Sequence, residues 1–235
     1  MFRPVLRKLV LFDIDGTLLH THGAGRRAIH AALLDEIAPP AADSRVRFDG
    51  KTDPQIVTEL YHAAGVADFA TEPRIAALIE RYIGHLPAAL HERAEHVRVL
   101  PGITELLDAL HERSDVILGL LTGNVVPGAQ LKLGAAGIRF DRFRVGAFGS
   151  DSAYRPDLPP IAAERAIPWF GRRPHGEEVV IIGDTPADVT CGASIGARAI
   201  AVATGSFSTE ELRAAGAAAA FATLADTAAV LEAIR

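Results

Sequence analysis

Asp13 and Asp15 are two carboxylates spaced two apart, at the end of the apolar run Leu9-Val10-Leu11-Phe12 and just before Gly16 and Thr17. A strand buried on both faces excludes charge, so this pattern predicts a strand end at or just past Asp13. If extended backbone continues through Asp15, both carboxylates point to the same side, because side chains alternate with period two. Gly16 then allows a sharp turn or the close approach of a ligand. Two acids at a strand end suit a hard cation, since Mg²⁺ takes one or two carboxylates together with phosphate and water oxygens. A loop-start aspartate followed by a turn aspartate looks the same locally, so the rest of the chain has to decide.

Two further apolar runs end in the same way. Residues 116–121 run into Thr122-Gly123-Asn124, and residues 178–182 run into Gly183-Asp184, with Asp188 four residues beyond. Taken singly, Thr122 reads as a helix cap, Asn124 as a turn residue and Asp184 as the cap of the helix that follows. In open parallel sheets, however, ligands bind in the crevice outside the carboxyl ends of the strands. Three polar endings on parallel strands would share that edge and form one site.

The elements that must position these residues follow from periodicity. After the first strand, apolar residues at helical spacing predict a helix over 24–37, stopped by Pro39-Pro40. A second helix starts near residue 53, with Asp53 as N-cap and Pro54 at its first position. A third is capped by Thr71, opened by Pro73 and amphipathic through Leu86. Residues 23–96 contain no convincing strand. Beyond residue 97, strands at 116–121, 144–148, 178–182 and 199–202 alternate with helices at 103–110, 129–136, 159–166, 188–195, 209–215 and 227–234. Residues 214–220 form an alanine-rich run. Alternation of this kind means an α/β fold, a mostly parallel sheet with helices on both faces, and the all-helical stretch is an insertion after its first strand.

Composition narrows the class. The chain of 235 residues is 49% hydrophobic and 23% charged, which suits a globular protein and excludes disorder. A net charge of −5 gives no basic surface for nucleic acid or membrane. The single cysteine, Cys191, cannot form an internal disulfide, and the short apolar run before Asp13 is neither signal peptide nor membrane span. A cytoplasmic protein is expected, with no nucleic-acid or membrane partner; oligomeric state leaves no mark. Lysine occurs only at positions 8, 51 and 132.

Asp-Ile-Asp-Gly-Thr-Leu-Leu, Leu-Leu-Thr-Gly-Asn and Ile-Ile-Gly-Asp-Thr-Pro-Ala-Asp resemble, in order and spacing, three of the four signature motifs of the haloacid dehalogenase-like superfamily. The helical insertion, and the return through Leu100-Pro101-Gly102-Ile103, resemble the phosphoglycolate phosphatase-like branch. The resemblance spans nearly the whole chain. It implies a Rossmann-like catalytic core formed by residues 1–20 and 97–235, and a helical cap domain formed by residues 21–96. It also implies a Mg²⁺-dependent phosphatase acting on a small phosphate ester. Asp13 would be the nucleophile that becomes an aspartyl phosphate, and Asp15 the general acid–base. Mg²⁺ would be held by Asp13, the carbonyl of Asp15 and Asp184, with Asp188 helping directly or through water. Thr122 and the amides near Gly123 and Asn124 would bind the phosphoryl oxygens, with Gly16 close by.

The chain departs from the family at its third motif, where a lysine is usual and Arg155-Pro156 stands instead. Arg155 is the natural substitute, permanently charged but bulkier than an ammonium group. Lys132, on the helix after Thr122, reads as a solvated side chain. Lys51, in Gly50-Lys51-Thr52-Asp53, resembles the cap loop that faces the site and is a candidate substrate contact. The same tripeptide mimics the end of a nucleotide-binding P-loop, but Arg45 replaces the first glycine and no strand precedes it. Gly23-Ala24-Gly25 begins too late after the strand for a dinucleotide fingerprint and reads as a hinge. His20 and His22 read as loop residues where cap and core meet. A phosphomutase using the same aspartyl phosphate and a non-catalytic metabolite-binding relative are the alternatives. Dehalogenation needs neither Mg²⁺ nor Asp15, and phosphonate cleavage would need a cap lysine such as Lys51.

Overall fold

The computed structural model describes residues 7–37 and 46–235, so the Pro39-Pro40 helix stop lies outside the described residues. Its centre is a six-stranded parallel sheet in the order β5-β4-β1-β6-β7-β8. The strands are β1 (Lys8–Phe12), β4 (Val116–Thr122), β5 (Val145–Phe148), β6 (Val179–Gly183), β7 (Arg198–Val202) and β8 (Ala219–Phe221). Two-residue strands β2 (Leu19–His20) and β3 (Arg98–Val99) pair antiparallel, so the chain leaves and re-enters the core through adjacent segments.

The alternation of β1 explains the layering. Leu9 and Leu11 pack on one face, with Val179, Ile181 and helices α6 (Leu158–Arg165) and α8 (Pro186–Cys191). Val10 and Phe12 pack on the other, with Val180, Ile182 and helices α4 (Ile103–His111), α5 (Val126–Ala135) and α10 (Thr227–Ile234). Each face is apolar because each is covered by helices, and this is why β1 and β6 read as unbroken hydrophobic runs. Short helices α7 (Ile167–Phe170) and α9 (Thr209–Ala214) complete the set; Ser208 caps α9 by accepting from the amide of Glu211.

Helices α1 (Ala24–Leu34), α2 (Asp53–Ala63) and α3 (Glu72–His91) bury their stripes in a separate cluster that includes Ile29, Leu60, Tyr61, Leu78, Tyr82 and Leu86. No strand occurs among the described residues between Gly23 and His96, as the periodicity predicts. Two of the differences from the sequence reading have clear physical reasons. The N-cap of α2 is Thr52, whose hydroxyl accepts from the Gln55 amide, and Asp53 is the first helical residue. The alanine-rich run contains strand β8, invisible to propensity because alanine is depleted in strands and only edge pairing with β7 selects it here.

Candidate active site

β1 lies between β4 and β6, where the chain order reverses, and Phe12 is in register with both Leu120 and Ile182. Asp13, Thr122 and Asp184 therefore emerge within two residues of one level, at the carboxyl ends of three adjacent strands. They line a cavity of about 480 Å³ together with Asp15, Asn124 and Arg155. The three-strand convergence expected from the sequence is what the sheet order produces.

Asp13 continues the β1 ladder, its amide donating to the Ile182 carbonyl at 2.9 Å. It shares parity with Leu9 and Leu11 and so points towards the face covered by α6 and α8. Arg155, at the approach to α6, and Asp188, in α8, meet it from that side. Arg155 Nη2 donates to Asp13 Oδ1 at 3.0 Å and to Asp188 Oδ1. Arg155 is buried, its Nη1 reaches the Gly50 carbonyl at 3.4 Å, and its Nε makes no hydrogen bond among the described residues. One nitrogen thus makes both carboxylate contacts, as an ammonium group would.

Asp15 does not lie on the same side as Asp13, contrary to the period-two expectation. The ladder ends at Asp13; a tight turn closed by Leu18 N–H to Ile14 C=O, with Gly16 at φ 82°, swings Asp15 to the opposite face. There its Oδ2 accepts from Asn124 Nδ2 at 2.9 Å and from Lys132 Nζ at 2.6 Å. Lys132 also donates to Asn124 Oδ1 at 2.6 Å and is only 5% exposed, so the solvated reading of this lysine is wrong. Its neighbours on α5, Gly128, Ala129 and Leu133, are buried too, which places Lys132 on the inward stripe. Burial alone would push its ammonium pKa down, but Asp15 and Asp53 carry it above the ordinary value.

Asn124 Nδ2 donates to Thr122 Oγ1 at 2.8 Å, which leaves the Thr122 hydroxyl hydrogen free to point elsewhere. Gly123 carries no side chain because none fits: a Cβ would lie 2.0 Å from the Lys51 carbonyl oxygen. The 50–53 loop is pinned here, with the Asp53 amide donating to the Gly123 carbonyl at 2.8 Å and Val125 N–H donating to Asp53 Oδ2 at 2.8 Å. Thr52 Oγ1 reaches the Ala153 carbonyl at 2.7 Å. Burial raises the Asp53 carboxyl to about 6, with Lys132 opposing the rise. Lys51 lines the cavity, but its ammonium is held by Glu59 and is not a free contact. His20 and His22 line the rim, His20 bonded to the Thr204 carbonyl.

Asp13, Asp184 and Asp188 offer carboxylate oxygens within 4.8 Å of one another. Three carboxylates facing the single guanidinium of Arg155 leave an excess of negative charge that a hard cation would neutralise. Burial, reinforced by Asp188, pushes Asp13 up to about 7 against the pull of Arg155; burial with Asp188 and Asp13 also carries Asp184 well above the ordinary carboxyl range. Asp188 is the most committed of the three, since its Oδ1 serves Arg155 and its Oδ2 accepts from the Thr185 amide and hydroxyl at 3.0 and 2.7 Å. Among the described residues, Asp13 Oδ2 and Asp184 Oδ2 take no hydrogen bond, and Asp184 Oδ1 accepts only from Thr17, at 3.2 Å. The donor set fits a cation bound directly by Asp13 and Asp184. Asp15 can contribute only its carbonyl, since its carboxylate points to the opposite face, towards Asn124 and Lys132.

The sequence reading missed Lys132, Asp53 and Tyr82, a buried residue lining the cavity whose hydroxyl has no partner among the described residues. Lys132 falls three and four residues after Ala129 and Gly128, so its place on the inward stripe was there to be found.

The chain resembles known proteins over most of its length. The chain is 26% identical over 217 residues to a phosphoglycolate phosphatase of Rhodospirillum rubrum, covering 91% of this chain and 86% of that one. Its fold matches a hydrolase from Pseudomonas syringae with a TM-score of 0.72 at 23% identity, over 96% and 98% of the two chains. It also matches CbbY from Rhodobacter sphaeroides in complex with phosphate, at a TM-score of 0.68 and 20% identity, over 94% and 96%. Residues 7–196 match the model of the haloacid dehalogenase-like hydrolases, and the chain belongs to that family.

Proposed function

We infer that the protein is a Mg²⁺-dependent phosphatase that hydrolyses a small phosphate ester through an aspartyl phosphate on Asp13. The observation that carries this reading is the division of the acids between two cations, Asp13 and Asp188 on Arg155 and Asp15 on Lys132. One carboxylate is thereby aimed at the metal half of the site and the other kept apart for proton transfer. The phosphatase relative in Rhodospirillum rubrum and the phosphate held by CbbY point to the same chemistry. Residues 1–20 and 97–235 are the catalytic core in this reading, and residues 21–96 the cap that closes over the substrate and excludes bulk water.

A carboxylate oxygen of Asp13 attacks phosphorus, and the bond to the leaving alcohol breaks as Asp15 gives the alcohol oxygen its proton. Asp15 then takes a proton from water, which attacks the same phosphorus and returns Asp13 as a carboxylate. The Thr122 hydroxyl and the amides of Gly123 and Asn124 donate to the phosphoryl oxygens. Mg²⁺ held by Asp13 and Asp184, with Asp188 alongside, would neutralise charge on the transferring group.

The test is phosphate release from 4-nitrophenyl phosphate and a panel of metabolite phosphates, with Mg²⁺ and with chelator. The expected result is metal-dependent phosphate release with no isomerised sugar phosphate. Isomerisation without net release would establish the mutase alternative, and no turnover of any ester would favour a binding protein. A second expectation follows from the burial that pushes Asp13 up to about 7 in the metal-free protein and carries Asp184 well above the ordinary carboxyl range. Loading Mg²⁺ must displace protons, so affinity rises as pH rises from about 6 to 8. Calorimetry at pH 7 in buffers of different ionisation enthalpy should report about one proton released per ion; a buffer-independent heat would contradict the assignment of these ligands.

A further inference from the structure

We propose that Lys132 is a positioning residue for proton transfer, locking one oxygen of Asp15 so that the other faces the leaving group. This inference rests on the phosphatase reading above and assigns a role to a residue outside the motifs of the family resemblance. Two donors, Lys132 Nζ and Asn124 Nδ2, converge on Oδ2 of Asp15, while Oδ1 takes no hydrogen bond among the described residues. The Asp15 side chain is 40% exposed towards the cavity, whereas that of Lys132 is 6% exposed. The ammonium group is therefore a wall of the site and is closed off from direct contact with a large ligand. Lys132 also holds Asn124 through its Oδ1, so the same cation fixes both the partner of Asp15 and the residue that bonds Thr122.

The surroundings are built to admit this lysine. Gly25 of α1 has no side chain where a Cβ would lie 3.2 Å from Lys132 Nζ, and the Tyr82 hydroxyl lies 3.9 Å from the same point. Asp53, from α2, adds a second negative charge nearby. The cap thus contributes space and charge around a core lysine whose hydrogen bonds all go to the core. A carboxylate that must both give and take a proton gains from fixed geometry, since proton transfer falls off sharply with misalignment.

The test separates positioning from plain structural support by varying the leaving group. kcat/KM, which covers the steps up to loss of the alcohol, is measured for 4-nitrophenyl, phenyl and glycerol phosphates, in order of increasingly basic leaving oxygen. The poorer the leaving group, the more it needs the proton from Asp15. Lys132→Met should lower kcat/KM for glycerol phosphate by about 10²-fold and for 4-nitrophenyl phosphate only a few-fold, steepening the dependence on leaving-group basicity. An equal loss for all three esters would overturn the proposal and leave the phosphatase reading intact. If the wild type turns over no ester, in this series or in the metabolite panel, the phosphatase reading falls, and this inference falls with it.

Because Lys132→Met leaves Asp15 without its cation, the double variant Asp15→Asn/Lys132→Met supplies an independent measurement on a site with neither charge. With the acid already gone, removing Lys132 should change kcat/KM for glycerol phosphate by less than about threefold relative to Asp15→Asn alone. A further loss of about tenfold or more would overturn the proposal.

Discussion

Asp13→Asn is expected to be at least ~10⁴-fold slower than wild type on any phosphate ester and yet more stable than wild type above neutral pH. The first effect follows from removing the attacking oxygen, since an amide does not displace an alcohol from phosphorus. The second follows from burial. Asp13 is 7% exposed and its carboxyl is pushed up to about 7 by desolvation and by Asp188, with Arg155 only partly offsetting both. The unfolded chain titrates near the ordinary value of 3.8. Between those two values the folded protein holds more protons than the unfolded one, so stability falls as pH rises from about 4 to about 7, and above 7 the penalty is fully present.

Asparagine carries no such penalty, and Arg155 keeps Asp188 as its counter-charge. Urea unfolding in chelator should therefore place Asp13→Asn about 1–3 kcal/mol above wild type at pH 8, with the gap closing towards pH 4. Activity surviving the substitution would remove Asp13 as nucleophile. A variant that is inactive but no more stable would mean that Arg155 already compensates the buried charge in the metal-free protein.

What the sequence disclosed about this site depended on whether a residue sits in a strand-end pattern. Asp13, Thr122 and Asp184 each follow an apolar run that can only be a buried strand, so type and position together placed them on one edge. Asp15 was legible as a residue but not in direction, because a period-two argument holds only while the backbone stays extended, and Gly16 at φ 82° marks a turn that sequence alone does not time. Lys132 reads as solvated because a lysine on a helix usually is, and it is the absent side chain of Gly25, where a Cβ would lie 3.2 Å from Nζ, that makes room for a buried one. Asp53 reads as a cap because Pro54 follows it, whereas the Thr52 hydroxyl performs the capping and frees the carboxylate to hold Val125. Lys132 and Asp53 share a cause: the space at Gly25 for the one and the Val125 amide for the other come from contacts between the 24–91 helices and the core, which no local pattern encodes.

Arg155→Met should cost about 10³-fold in kcat and several kcal/mol of stability, whereas Arg155→Lys should keep kcat within about tenfold of wild type. Methionine fills the same volume but leaves Asp13 and Asp188 facing each other, with Asp184 nearby, and no cation between them. Breaking a buried pair in this way is far worse than never having built it. Lysine at 155 restores the charge, and the geometry says why that should suffice. Only Nη2 of the guanidinium touches the carboxylates, so the planar fork is not used as a fork, and Nε is buried without a partner. An ammonium nitrogen at the Nη2 position would make both contacts and would bury no orphaned donor. The contact only arginine makes is the 3.4 Å reach of Nη1 to the Gly50 carbonyl, in the loop pinned against Gly123. Arg155→Lys should accordingly show its main deficit in KM, through a looser loop, with little change in kcat. A lysine variant as inactive as the methionine one would mean that the guanidinium's shape, and not its charge, is what Asp13 requires.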